Sequence, residues 1–371
     1  MKKFAMLVAA VMTTATLSAQ TSTKKDVLET ARSANNYFMA KYADPTVPTN
    51  VKRIRPSSLW TRAVYYEGLM ALNTIDPQKR YIDYTDRWAS FHKWTPRNGT
   101  KTRDADDQCC SQTYLERLMM TGDSTMLFPT RENLRGQMAE TKIGYWTWID
   151  AIQMAMPVYA QMYKITGDRA YLEHGMKMYR WSRNECGGGL FNTKSGLWWR
   201  DADYVPPYKE KDGNDCYWSR GNGWVLAALV RVMDNISPKD KAYKELKKDF
   251  VAMCNGLATC QREDGFWNVS LVSPVTYGGP ETTGTALFLY GISWGLQKGY
   301  LKSKTFRPIA DKAWKALTTV VHDDGFLGYM QGTGKDPSAG QPVTYDKVPD
   351  FDDYGVGCFL LGAVEYYKLI D

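Results

Sequence analysis

The sequence predicts an all-α fold, an (α/α)6 barrel or toroid in which six inner helices are ringed by six outer ones. Three observations carry this. Apolar residues recur at helical spacing in twelve blocks, while alternating strand patterns are scarce. The blocks alternate along the chain between two compositions, and no Pro-, Ser- or Gly-rich linker divides them. One set is amphipathic and covers residues 25–41, 79–93, 129–139, 169–182, 241–260 and 306–321. The other is rich in aromatics and small residues, apolar nearly all round, and covers 59–75, 109–120, 146–165, 218–232, 284–296 and 354–369. A helix apolar on every side belongs inside and a striped helix outside it, so the alternation reads as two concentric layers in one domain over 20–371.

The first nineteen residues stand apart. Lys2 and Lys3 precede an apolar run, and Leu17-Ser18-Ala19 makes a small-residue cleavage site. This is the pattern of a secretory signal peptide over 1–19, too short and wrongly flanked for a membrane span, and it places the mature chain in a periplasm or outside the cell. No cysteine precedes Cys109, which argues against a lipid anchor, and no later apolar run is long enough to cross a bilayer. The seven cysteines are odd in number and scattered without a CxxC pair. An exported chain can form a disulfide, but this is no disulfide scaffold. The three histidines, His92, His174 and His322, are isolated, so no metal or other cofactor is expected. Without Lys2 and Lys3 the chain carries 45 basic against 40 acidic residues. That excess suits an acidic substrate, yet no basic tract of the kind that grips nucleic acid is present.

Glycines and tryptophans collect in the loops leading into the inner helices, and function gathers on such loops. Asp150 falls within the predicted inner helix over 146–165, with Trp146 four residues before it and Met154 four after, on one face. A carboxyl desolvated among aromatics is pushed toward its protonated form, as a general acid requires. A buried aspartate that satisfies nearby donors explains the same residue equally well, and Pro157 should kink this helix. The stretch DADD, Asp104 to Asp107, precedes the next inner block. Helix capping explains any one of its three aspartates well and all three together poorly. Asp350, Asp352 and Asp353 form a third acidic cluster open to the same capping explanation, and Glu281 in PETTGT is a weaker candidate.

Trp60, Trp146, Trp148, Trp218 and Trp224 fall at one predicted end of the inner helices, beside these carboxylates and Arg220. Core packing is the plain explanation for tryptophan. Sugar rings, however, present apolar C–H faces and hydroxyl edges, which aromatics and charged hydrogen-bonding groups match together. Arg220 offers a planar fork fitted to a carboxylate. The glycines of RGNGW (220–224) are read as a tight turn placing Arg220 and Trp224 over a pocket.

WSRGNGW (218–224) and the segment WIDAIQMAMPVYAQMYKITGD (148–168), with WTRAVYYEGL (60–69) and PETTGTALFLYG (280–291), resemble glycoside hydrolase family 105, the unsaturated rhamnogalacturonyl hydrolases, and the related unsaturated glucuronyl hydrolases of family 88. The resemblance covers nearly the whole mature chain and implies an (α/α)6 barrel. It implies as substrate an oligosaccharide with a 4,5-unsaturated uronic acid at its non-reducing end, as a polysaccharide lyase leaves it. The vinyl-ether double bond is protonated and hydrated, and the resulting hemiketal opens and releases the rest of the chain. By the resemblance Asp150 is the general acid and water activator. A second carboxylate comes from the Asp106–Asp107 pair, with spacing favouring Asp106. Arg220 and Trp224 hold the unsaturated sugar while Trp60 stacks nearby.

Two departures from the family pattern stand out. GQMAETKIGYW (136–146) lacks the histidine that rhamnogalacturonyl hydrolases place before the catalytic aspartate, and Arg200 replaces a further family histidine. These point to a leaving sugar other than rhamnose, with Arg200 facing it or pairing with Asp201 or Asp203 at the surface. Two other functions remain compatible with the sequence. One is a conventional glycosidase of the mannanase kind, with two carboxylates at the anomeric centre. The other is a non-catalytic glycan-binding protein of a bacterial uptake system.

Overall fold

Residues 22–51, 53–348 and 350–370 are described by the computed structural model, and the leader-like segment 1–19 lies outside them. Twelve long helices follow one another: α1 (Lys24–Lys41), α2 (Trp60–Ile75), α3 (Lys79–Phe91), α4 (Ser111–Thr121), α5 (Phe128–Met138), α6 (Asp150–Thr166), α7 (Arg169–Asn184), α8 (Ser219–Met233), α9 (Lys241–Ala258), α10 (Thr282–Gln297), α11 (Ser303–Thr318) and α12 (Asp353–Leu369). The even-numbered helices pack in a closed ring, α2 on α4, then α6, α8, α10, α12 and back to α2, with the odd-numbered ones outside it.

Burial follows the two compositions. Every residue of α8 is buried, as is α12 from Asp353 to Tyr366. Outer α3 buries only the stripe Tyr81, Tyr84, Thr85, Trp88 and Ala89. Where the first and last inner helices meet, a Cβ on Gly68 would stand 2.5 Å from the Gly357 carbonyl oxygen. Only paired glycines let two backbones come so close, so the ring closes there.

The connections alternate in length, and this decides where a site can form. Inner-to-outer links are tight: Gly122 (φ 73°) and Gly167 (φ 72°) end α4 and α6 in the left-handed conformation. Asp123 and Asp168 immediately cap the next helical turn. Outer-to-inner links are long, so the N-terminal ends of the inner ring carry the loop residues that shape a cavity. Two small antiparallel hairpins decorate these loops: β1 (Thr49–Val51) with β2 (Arg53–Arg55), and β3 (Phe191–Asn192) with β4 (Leu197–Trp198).

Two local expectations change. Helix α6 begins at Asp150 rather than at residue 146, because the preceding residues are drawn aside by the 198–201 segment. Ile149 N–H donates to the Arg200 carbonyl at 2.9 Å, and Trp148 forms a bridge with Asp201. Trp146 therefore does not share a helical face with Asp150. Within α6 the helix continues through Pro157. RGNGW is likewise no turn but the first part of α8. A Cβ at Gly221 would lie 2.8 Å from the Trp218 ring, and one at Gly223 would lie 2.9 Å from Leu287. Those glycines serve close packing against neighbouring side chains.

Candidate active site

Over the N-terminal ends of the inner ring lies a cavity of about 310 Å³. Its floor takes Trp60, the first residue of α2, Asp150, the first residue of α6, and Met154 one turn on. Trp148 and Asp106 come from the loops before α6 and α4, and Arg200 from the long link before α8. The rim is closed by Arg53 and Arg55 of β2 and by Thr333, Gly334 and Lys335 from the loop before α12. Cavities of about 390, 400 and 420 Å³ elsewhere on the surface hold at most one acid each. Paired carboxylates distinguish this one.

The two acids sit in different surroundings. Asp106 follows the N-cap Asp104, whose carboxylate accepts from the Asp106 N–H at 2.9 Å. Burial, and then repulsion from Asp104, Asp150 and Asp107, push the Asp106 carboxyl up to about 8, with Arg200 opposing. Asp150 is 8 % exposed. Burial raises its carboxyl too, but Arg200 and Arg220 pull the other way. Arg200 Nε stands 3.4 Å from Asp150 Oδ2. Its Nη1 donates to Asp201 at 2.6 Å, which fixes the guanidinium. The site thus contains one carboxyl favoured in its protonated form and a second held beside a cation, an arrangement suited to moving a proton across a small ligand.

Of the residues singled out from sequence, the structure brings Trp60, Trp148, Asp106, Asp150 and Arg200 to one cavity. Others it places elsewhere. Asp107 turns away to tie down the 97–102 loop, pairing with Arg97 at 2.6 Å and accepting from Asn98 and Thr102. Arg220 is fully buried, its Nη1 and Nη2 donating to the carbonyls of Gln331 and Gly332 at 2.9 and 3.0 Å. A fork shaped for a carboxylate fits two adjacent carbonyls equally well, and here it anchors the loop that forms the far wall.

Trp218 is buried under Arg220, with its Nε1 donating to the Gln331 side chain at 2.8 Å. Trp146 is buried against Tyr159, and Trp224 is buried edge-on to Trp60, ring centroids 6.1 Å apart, supporting that wall from behind. Arg200 pairs with Asp201, one of the two partners expected for it, and in addition faces Asp150 inside the cavity. The remaining acids are structural: Asp350 accepts from the Thr333 backbone, Asp352 pairs with Lys41 and Asp353 with Arg62, and Glu281 caps α10.

The residues not anticipated are Arg53, Arg55, Thr333, Gly334 and Lys335. A trace of the first two is legible in RIR (53–55), where arginines at positions i and i+2 of an extended segment share a face. Thr333, Gly334 and Lys335 carry no comparable pattern.

A family model described as Glycosyl Hydrolase Family 88 matches residues 30–370. An unsaturated 3S-rhamnoglycuronyl hydrolase of Alteromonas sp. (strain LOR) is 31% identical, over 90% of this chain and 84% of its own length. Among solved structures, a family 88 glycosyl hydrolase from Bacteroides vulgatus superposes with a TM-score of 0.85 at 33% identity, over 94% of this chain and 100% of that one. A protein named as a polysaccharide lyase follows with a TM-score of 0.83 at 30% identity, over 94% of this chain and 98% of that one.

Proposed function

The chain belongs to glycosyl hydrolase family 88, and from that premise we propose that it removes a terminal 4,5-unsaturated uronic acid from lyase-generated oligosaccharides by hydrating the vinyl-ether double bond. The observation that carries the reading is the Asp106–Asp150 pair in one cavity, with Arg200 against Asp150. Protonation at C4 of the unsaturated ring leaves positive charge shared between C5 and the ring oxygen. Water then adds at C5, giving a hemiketal that opens to a ketone and expels the neighbouring sugar. In this reading Asp106 supplies the first proton, a role the family resemblance gave to Asp150, and Asp150 beside Arg200 accepts the proton of the attacking water. Trp60 and Trp148 offer apolar faces for the sugar ring. Family relatives support this chemistry over a glycosidase acting at the anomeric centre or a non-catalytic glycan binder.

The name of the Alteromonas relative, an unsaturated 3S-rhamnoglycuronyl hydrolase, makes a rhamnose-linked unsaturated uronate the first substrate to try. The leader-like residues 1–19 fit an exported enzyme meeting such fragments in a periplasm or outside the cell.

Resemblance to a polysaccharide lyase motivates a second reading, and one measurement separates the two. A hydrolase consumes the conjugated double bond, so ultraviolet absorbance of an unsaturated oligosaccharide falls. A lyase creates that bond, so absorbance rises on the intact polysaccharide. A fall on the first substrate with none of the rise on the second is the expected result; the opposite pattern overturns the hydrolase assignment.

A further inference from the structure

The cavity holds more positive charge than its two acids require, and the surplus lies on one side. Arg200 is engaged by Asp150 and Asp201, and Lys335 by Asp203 at 3.6 Å. Arg53 and Arg55 pair with no acid among the described residues. Alternation along β2 puts both on the cavity side, while Ile54 between them points to solvent, 69% exposed. Arg55 is itself only 7% exposed. It lies over the Phe351 ring at 4.0 Å and donates through Nη2 to the Thr333 hydroxyl at 3.2 Å. The acids nearest it are committed elsewhere, Asp350 to the Thr333 and Phe351 backbones and Asp353 to Arg62.

A desolvated arginine beside a second arginine is costly with nothing negative between them. Burial and the Arg53 charge both pull the Arg55 guanidinium below its ordinary value. A bound anion would relieve both. Meanwhile Arg220, the residue whose shape suggested carboxylate recognition, spends both Nη groups on the Gln331 and Gly332 carbonyls.

We propose that Arg53 and Arg55 form an oxyanion subsite that seats a negatively charged group of the saccharide, either the uronate carboxylate or a sulfate ester on the adjoining sugar. This rests on the reading of the cavity as the substrate site. Arg55 supplies the fixed donor fork, preset by Phe351 and Thr333, and the exposed Arg53 closes over the anion from the rim.

The test compares kcat/KM of the wild type and Arg55→Gln on matched unsaturated disaccharides: free acid, methyl ester, and each with or without a sulfate on the second sugar. Loss of a charged hydrogen-bonding pair predicts a drop of roughly 10- to 100-fold confined to one charge. If the acid suffers and the ester far less, the subsite holds the carboxylate. If the sulfated forms suffer and the unsulfated ones far less, it holds the sulfate. An equal loss on all four, or none, overturns the proposal.

Because Arg55 is buried, Arg53→Gln serves as a second variant that leaves the interior intact, with the same selectivity and a smaller drop expected. Binding of inorganic sulfate, followed by calorimetry, reads the subsite without turnover. The wild type should bind it and Arg55→Gln should not, while equal binding by both sinks the proposal. If no disaccharide loses absorbance with the wild type, the hydrolase reading fails, and the sulfate measurement still decides the subsite.

Discussion

Arg200 Nε stands 3.4 Å from Asp150 Oδ2, and among the described residues no cation pairs with Asp106 across the same cavity. The guanidinium cannot drift, because Nη1 is bound to Asp201 and the Arg200 carbonyl accepts from Ile149 N–H. Burial raises both carboxyls, Asp104 and Asp107 raise Asp106 further, and Arg200 and Arg220 hold Asp150 back, so the two neighbours are unequal.

Asp150→Asn should abolish hydration while the fold survives. The amide keeps the shape but cannot exchange a proton, and loss of an acid–base group costs roughly 10²–10⁴ in rate. Turnover near the wild-type value in a variant with native circular dichroism would remove Asp150 from the mechanism.

The pH profile carries a second prediction. With Asp106 raised to about 8, activity that depends on its proton should hold at neutral pH and fall as pH passes that value. Arg200 lowers both carboxyls, so Arg200→Gln should move both limbs of the kcat/KM profile upward. A profile that merely drops, with its limbs in place, would make Arg200 a scaffold residue.

Asp106→Asn should stabilise the protein even as it inactivates it. A carboxyl whose folded value lies above its ordinary 3.8 opposes folding once ionised. The penalty is absent at low pH, grows as pH rises from the ordinary value, and is complete above about 8. The thermal midpoint of the variant should exceed the wild type by a few degrees at pH 8 and match it near pH 3. An equal gain at both pH values would exclude the electrostatic cause.

Arg220→Gln should act on stability rather than on recognition of charge. It orphans the Gly332 carbonyl and leaves the Gln331 carbonyl with the Tyr354 hydroxyl alone, at ~1–3 kcal/mol for the buried acceptor left unmet. The unfolding midpoint should fall, while preference for acid over methyl ester stays unchanged in the folded fraction. A selective loss on the acid form would return Arg220 to the substrate.

Helix order, the two layers and the end of the barrel bearing the cavity were legible in the sequence, because each follows from local pattern. Apolar stripes separate outer from inner helices, as α3 and α8 illustrate, and TGD marks two of the tight inner-to-outer links. Residue type also drew attention to Trp60, Asp106 and Asp150, and the family resemblance to Arg200. It could not tell Asp106 from Asp107, since adjacent side chains leave the backbone in different directions and only the packed loop decides which one meets Arg97. Nor could it show that Arg220 would spend its fork on two carbonyls, or that Arg53 and Arg55 would face Asp150 from a hairpin nearly a hundred residues earlier in the chain. Sequence determines which groups are present and what each can bind. Which partner a group meets depends on ring closure and on loops folded over distant helix ends, and in this protein only the tertiary structure decided it.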